Sequence, residues 1–119
     1  MNSDLRNSGK LRVGLVTKEW PPQVYGGAGV HVVQLSQALR KQPNIEVDVH
    51  CFGGERSDAF GYETPAAFEK SNAALQALAT DLVIADQLGA VDVIHSHTWY
   101  ANFAGFTANL IHGIPHIVS

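Results

Sequence analysis

The sequence predicts an α/β fold with a doubly wound parallel sheet, because short apolar segments alternate with amphipathic ones along the chain. Four segments have the apolar, β-branched composition of strands, and the three segments between them have helical periodicity. Strands that are joined through helices run parallel and are covered on both faces. Ligands of such sheets bind at the carboxyl ends of the strands, where functional residues are expected.

The first strand and first helix are separated by a loop that contains two prolines. The strand is predicted at residues 11–17, a buried-type apolar run. Pro21 and Pro22 exclude a helix directly after it. A helix is predicted to follow the glycines at positions 26–29 and to end before Pro43. The apolar residues of its inner face recur every three or four positions: Ala28, Val32, Leu35 and Leu39.

The second strand is predicted at residues 45–52, and a long polar loop at residues 53–65. A helix over residues 71–88 follows, with Ser71 or Asn72 as its amino-terminal cap and Gly89 as its carboxyl-terminal cap. Its predicted inner face consists of residues at helical spacing: Leu75, Leu78, Leu82 and Ala85.

The last third of the chain predicts a strand at residues 91–95, a loop around residues 96–100 and a helix at residues 101–112. Gly113 and Pro115 end that helix, and a fourth strand begins at residues 115–119. Because the sequence stops inside this strand, residues 11–119 are interpreted as part of a longer domain. Residues 1–10 are polar and are expected to form a disordered tail.

Composition excludes several functional classes. The 8 Lys and Arg residues and 11 Asp and Glu residues give a formal net charge of −3, which argues against a nucleic-acid binder. Cys51 is the single cysteine, so no internal disulfide forms and a cytoplasmic protein is expected. We expect Cys51 to be a buried apolar residue. No signal peptide is recognisable, and no segment approaches the roughly 18 apolar residues of a membrane span.

A glycine-rich turn is the first candidate site. Gly26, Gly27 and Gly29 come just before a helix, whose unpaired N–H groups and positive dipole end favour a phosphate or another anion. The alternative is a plain turn that needs glycine for packing. The spacing differs from the dinucleotide fingerprint and from the P-loop, so nicotinamide binding is not expected.

A histidine-rich motif at the end of the third strand is the second candidate. His95 and His97 are two apart on a strand and share a face, and the glycine-rich turn is expected at the same sheet edge. His97 and Trp99 together are typical of sugar recognition, whereas a structural role is favoured for His95. A metal pair formed by the two histidines is an alternative.

The remaining polar and aromatic residues near these motifs have simpler interpretations. Lys18 and Glu19 are interpreted as solvated loop charges, and Trp20 as a packing anchor. Structural roles are favoured for the other histidines that lie near predicted helix ends: His31, His112 and His116.

Two segments in this order, residues 18–31 and 91–101, resemble the N-terminal domain of GT-B glycosyltransferases. The chain is similar in particular to bacterial glycogen (α-glucan) synthases of glycosyltransferase family 4, and the resemblance covers residues 11–119. It implies two Rossmann-like domains that face a cleft. The chain would be the N-terminal, acceptor-side half, and the C-terminal domain that holds most of the donor would be absent.

The resemblance also implies a reaction. Glucose would pass, with retention of configuration, from ADP-glucose or UDP-glucose to an α-glucan, or to glucose 1-phosphate in the branch that makes maltose 1-phosphate. No metal and no other cofactor are implied. Gly26 and Gly27 would approach the donor phosphates, while His97 and Trp99 would lie near the sugar or the acceptor.

Two departures separate the chain from the related family 5 synthases. Val24 stands where those enzymes carry a lysine, and Thr98 stands where they carry an aspartate, which favours family 4. The resemblance further implies an active-site histidine beyond Ser119, so no catalytic residue is expected in the chain and no turnover by the chain alone.

Three alternatives stay open. One is a different family 4 transferase that acts on a small sugar, a lipid or a sugar phosphate. Another is a module that binds a sugar or phosphate without chemistry. The third is a metal hydrolase that uses His95 and His97.

Overall fold

The structure is a computed structural model that describes residues 9–119, so most of the predicted tail at residues 1–10 lies outside the described residues. Residues 9–119 form five strands, three helices and one short 3₁₀ turn, Ala66–Phe68. The strands are β1 (Leu11–Thr17), β2 (Ile45–Phe52), β3 (Phe60–Tyr62), β4 (Val93–His97) and β5 (His116–Val118). The helices are α1 (Gly27–Arg40), α2 (Ala73–Gln87) and α3 (Trp99–His112).

The sheet is parallel throughout and has the strand order β3-β2-β1-β4-β5, which confirms the predicted α/β class. From β1 the chain proceeds outward to β2 and β3 on one side, and β4 and β5 then extend the other side. The order therefore reverses between β1 and β4, where Thr17 pairs with His97. A crevice at the carboxyl ends of these two strands is the expected ligand position in such a sheet.

The core lies on both faces of the sheet. Leu15 packs with Val32 of α1, whereas the neighbouring Val16 packs with residues of α2 and α3 such as Ile84 and Ala104. Successive strand side chains point to opposite faces, so β1 serves both layers. In the described part of the chain, no helix has both the length and the apolar character needed to cross a bilayer.

The predicted loop at residues 53–65 is wrong in part, because it contains the edge strand β3. This strand has only three residues, too few for a recognisable alternation, and it pairs with the end of β2. Gly61 is needed there, since a side chain would collide with the backbone of Gly54. The loop thus folds back tightly onto the sheet.

The predicted inner face of the second helix is also wrong. Leu75, Leu78 and Leu82 of α2 are exposed, and of that stripe Ala85 alone is buried. The helix instead buries a face of mostly small or polar residues: Ala77, Thr80, Asp81 and Ile84. The buried face of α3 is small as well, with Ala101, Ala104, Gly105 and Ala108. Small residues on both helices let their backbones approach closely, which outweighs the burial of leucine.

Helix α1 agrees with its prediction in part. Val32 is fully buried, and Leu35 and Leu39 are half-buried against the same core. Ala28 is exposed, and Gly29 takes the inward position.

The helix ends show which capping predictions were right. Asn72 caps α2 by accepting a hydrogen bond from the Leu75 N–H at 2.9 Å. Gly113 ends α3 in the left-handed conformation, at φ 71°. Gly89 does not cap α2, whose C-cap residue is Leu88, with φ −88°.

The third strand and third helix are shifted relative to their predicted bounds. Strand β4 runs two residues further than expected, to His97, and α3 begins at Trp99. The predicted loop at residues 96–100 therefore shrinks to Thr98, which has a φ of 70°.

Candidate functional site

The crevice between β1 and β4 is bordered by the residues that follow each strand. Lys18 follows β1, and its Nζ lies 3.9 Å from the ring centroid of Tyr100, in the first turn of α3. Three open cavities, of about 280, 190 and 160 Å³, surround this contact, and Lys18 lines all of them. The site thus consists of three open cavities that share Lys18 in their linings, rather than one deep pocket.

The glycine-rich turn borders this crevice through Ala28 and Gly29, and neither packing nor a positive φ requires glycine at its first two positions. Gly26 caps α1 in an extended conformation, and Gly27 is the first residue of the helix. Neither has a positive φ, and a methyl group added to either would meet nothing within 4 Å. The plain packing explanation therefore fails for this pair. Both are exposed, so their backbone is open to an approaching ligand.

Gly29 differs from its neighbours because its position has no room for a side chain. An added methyl group would collide with the Glu19 carboxylate and would lie 2.9 Å from Cγ1 of Val24. The three glycines of the motif thus divide into one that packing requires and two that it does not.

Glu19 shapes the turn, and the prediction that it is a solvated loop charge is wrong. Its Oε1 accepts hydrogen bonds from the N–H groups of Tyr25 at 2.9 Å and Gly26 at 3.3 Å. A carboxylate at the amino end of α1 also suits the positive end of the helix dipole. The first-turn N–H groups of Gly27 and Ala28 have no acceptor within the helix.

The histidines converge with this turn, as the sequence predicted. The rings of His95 and His97 are 4.2 Å apart, and His31 of α1 lies 6.0 Å from His97 in an edge-on arrangement. The contact joins α1 to the end of β4. His31 was expected to be merely structural, and no sequence pattern linked it to the other two.

His97 is the most constrained member of this histidine group. It is only 4% exposed, and its Nε2 is buried without a hydrogen-bond partner among the described residues. Burial, with smaller contributions from His95 and His31, lowers the pKa of His97 to about 4. The ring is therefore neutral at pH 7, and its free nitrogen can donate or accept one hydrogen bond, depending on the tautomer.

His95 is more accessible than His97 and has a partner. Its Nε2 lies 2.7 Å from Oγ of Ser119, and burial lowers its pKa as well. Within residues 9–119, no group of three His, Cys, Asp or Glu side chains is placed to hold a metal ion.

Trp99 lies between Thr98 and Tyr100, which line cavities of the site, but it lines none of the three cavities itself. It is the first residue of α3, is 59% exposed, and stacks on Tyr100 with ring centroids 4.1 Å apart. An exposed, pre-ordered indole provides a flat apolar surface of the kind that covers the apolar face of a sugar.

The other histidines of this region stabilise the fold around the site. Nε2 of His116 lies 2.6 Å from the buried Oγ of Ser96, which also donates to Asn102 at 2.7 Å. Nε2 of His112 lies 2.8 Å from the carbonyl oxygen of Ala85, so it joins α3 to α2. These contacts agree with the structural roles that the sequence favoured.

The loop before the glycine-rich turn is anchored by two residues. Trp20 is 2% exposed and donates its indole N–H to Asp58 at 3.1 Å, as expected of a packing anchor. Arg56 was not singled out from the sequence, since no motif marks it. Its guanidinium donates to Gln23 and to four backbone carbonyls, those of Trp20, Pro21, Phe52 and Gly54. It therefore ties the loop after β1 to the loop after β2.

Cys51 is buried at the end of β2, as predicted. Burial raises the pKa of its thiol to about 11, so the thiol is protonated at pH 7 and is a poor nucleophile.

Comparisons with known proteins place these features in a family. The sequence profile of Glycosyltransferase Family 4 matches residues 25–119. Alpha-maltose-1-phosphate synthase of Mycobacterium tuberculosis (strain ATCC 25618 / H37Rv) is 47% identical over 109 residues, which is 92% of this chain and 28% of that protein. The enzyme of the same name from Mycolicibacterium smegmatis is 45% identical over 109 residues, again 92% of this chain and 28% of that protein. The chain thus spans about 28% of the length of these relatives.

Proposed function

The chain belongs to glycosyltransferase family 4, and we propose that it is the N-terminal, acceptor-side part of a GT-B retaining glucosyltransferase. The donor is ADP-glucose or UDP-glucose. The acceptor is glucose 1-phosphate or the end of an α-glucan in glycogen synthesis, and the name of the relatives favours the sugar phosphate. The reaction takes place in the cytoplasm and requires no metal.

The open space beside Gly26 and Gly27 is the observation that supports this function most strongly. Glycine at two positions without packing or dihedral constraint is expected where a ligand must approach the backbone closely. The free N–H groups at the start of α1 suit the phosphates of a nucleotide sugar. This role agrees with the one that the family resemblance implies.

His97 and Trp99 are proposed to contact the sugar. The buried Nε2 of His97 lacks a partner, and leaving such an atom unpaired costs free energy that a sugar hydroxyl would recover. Trp99 offers its exposed ring to the apolar face of the same sugar or of the acceptor. Catalytic groups are proposed to come from the part of the enzyme beyond this chain.

The test is a chimera in which this chain replaces the matching 109-residue region of the Mycolicibacterium smegmatis relative. Both donors are combined with both acceptors, and release of nucleoside diphosphate is measured. We expect release in one pairing to exceed the others. The unmodified relative is the positive control. A folded chimera that releases no nucleoside diphosphate in any pairing, while the control does, would overturn the proposal.

A further inference from the structure

We propose that Lys18 binds a phosphate group of the substrate at the crevice between β1 and β4. The inference rests on the proposed function and extends it to a residue that the sequence placed among solvated charges. Lys18 directly follows β1, at the position where the strand order reverses, and it lines all three cavities of the site.

The ammonium of Lys18 is held in place without being neutralised. Its Nζ lies over the Tyr100 ring at 3.9 Å, a contact that orients the cation and leaves its charge available. No carboxylate of the described residues lies within ion-pair distance of this ammonium. The adjacent carboxylate of Glu19 is engaged by the N–H groups of Tyr25 and Gly26.

Other basic groups near the crevice are not free to bind an anion. All the N–H groups of Arg56 face oxygen atoms of the surrounding loops. His95 and His97 are neutral at pH 7, because burial lowers the pKa of each. The lysine that family 5 synthases carry before the paired glycines is Val24 here, and its side chain packs toward Gly29.

These observations indicate the chemistry of the ligand. A lysine that has free N–H groups, lies over an aromatic ring and is beside an open helix amino end fits a phosphate ester. Two sources supply that group: the diphosphate of the nucleotide sugar and the phosphate of a sugar-phosphate acceptor.

The experiment measures binding of glucose 1-phosphate and of ADP to this chain by isothermal titration calorimetry, with Lys18→Met and Lys41→Met compared to the parent. Methionine keeps the apolar length of the lysine side chain. Lys41 caps the carboxyl end of α1, by the opposite edge of the sheet, so its variant carries the same charge change away from the site. Neutral methyl α-glucoside reports binding that does not depend on phosphate.

We expect Lys18→Met to raise the dissociation constant of one phosphate probe by about tenfold or more. This is the loss of affinity expected when one charge-assisted hydrogen bond is removed. Lys41→Met should bind like the parent, and neither variant should change binding of methyl α-glucoside. A loss confined to glucose 1-phosphate assigns Lys18 to the acceptor, and a loss confined to ADP assigns it to the donor. Salt screens the attraction between the lysine ammonium and a phosphate. The difference in affinity between Lys18→Met and the parent should therefore shrink as ionic strength rises.

Equal affinity of Lys18→Met and the parent for both probes would overturn the inference, as would failure of the parent to bind either probe. This outcome is separate from failure of the proposed function. If the chimera shows no turnover, phosphate binding at Lys18 can still be demonstrated by calorimetry. If the chimera does show turnover but Lys18→Met binds both phosphate probes like the parent, the inference about Lys18 is still overturned.

Discussion

The glycines of the glycine-rich turn differ in whether the fold requires glycine at their positions. Gly29 has no room for a methyl group, because the Glu19 side chain occupies that space. Gly27, two residues earlier on the same helix, faces open space. The same residue type is therefore present in one motif for two different physical reasons, and stability measurements should separate them.

Replacing each of these glycines by alanine should have different effects on stability. Gly29→Ala should lower the free energy of unfolding by about 1–3 kcal/mol, because the added methyl group displaces Glu19 from the turn. Gly27→Ala should leave it unchanged within about 0.5 kcal/mol or raise it, since alanine is the better helix former. Urea unfolding of both variants checks this, and equal losses would contradict the distinction between the two positions.

Asp81 is a second residue whose environment is unusual. It is 1% exposed on the inner face of α2, and neither carboxylate oxygen has a hydrogen-bond partner among the described residues. Burial raises its pKa from 3.8 to about 8, so the folded protein holds a proton there that the unfolded chain releases. The stability that this proton provides is present below pH 3.8 and is lost as the pH rises through about 8.

The variant Asp81→Asn should remove this pH dependence, because an amide does not ionise. Relative to the parent, its free energy of unfolding should rise between pH 5 and pH 8 by an amount on the order of a few kcal/mol. Urea unfolding of both proteins at the two pH values measures the difference. Comparing them cancels the opposite contribution of His50 and His97, whose pKa values are both lowered to about 4. The same difference at both pH values would show that Asp81 is ionised in the folded protein.

At the scale of elements, the two longest strands, β1 and β2, were predicted with their bounds, β4 was predicted with its bounds shifted by two residues, and the edge strand β3 was not predicted. The bounds of β1 and β2 match their predictions because each has seven or eight residues of strand-like composition. The edge strand β3 has three residues and depends on the end of β2 for its existence. Its pairing is a tertiary contact, so no local pattern could have revealed it.

Helix α2 shows why periodicity can select the wrong face. Leucines at helical spacing predicted the core face, but contact with the small-residue face of α3 rotated them outward. The leucine stripe and the buried stripe are offset by about one position, roughly 100° around the helix. In an alanine-rich helix, the packing against neighbouring helices decides which face is buried. The hydrophobic pattern of the helix alone does not predict that packing.

The new assignment of the α2 face is tested by two alanine substitutions. Leu82→Ala should lower the free energy of unfolding of the chain by less than about 1 kcal/mol, because Leu82 is 52% exposed. Ile84→Ala should lower it by about 2–5 kcal/mol, since that side chain is fully buried. Thermal or urea unfolding of both variants provides the comparison. A larger loss of unfolding free energy in Leu82→Ala than in Ile84→Ala would contradict the new assignment and support the face that the sequence predicted.

At the scale of the whole molecule, the sheet topology brings the two motifs to one edge. A parallel sheet places the residues after β1 and after β4 side by side, so the meeting of the glycine-rich turn and His97 could be predicted. The contact between Lys18 and Tyr100 and the hydrogen bonds of Glu19 could not, because they depend on side-chain directions across the crevice. The sequence therefore predicted that the two motifs meet, but it misassigned Glu19, whose carboxylate is held by the N–H groups of Tyr25 and Gly26.

The chain spans about 28% of the length of its relatives. In the function proposed above it forms one side of a cleft, and the catalytic groups lie outside it. We expect no sustained nucleoside diphosphate release when the chain alone is incubated with either donor and either acceptor. Sustained release at a rate that scales with chain concentration would contradict this expectation, and with it the assignment of the catalytic groups to the rest of the enzyme.

The most direct test of the central claim is the effect of Gly27→Ala on turnover by the chimera. The claim is that the open space at this turn is reserved for substrate, so filling it should lower kcat/KM by about tenfold or more, roughly the worth of one close contact to a charged group. The melting temperature of the variant should be no lower than that of the parent chimera. Unchanged kcat/KM at the same melting temperature would show that substrate does not approach Gly27, and the glycine-rich turn would then not be part of the binding site.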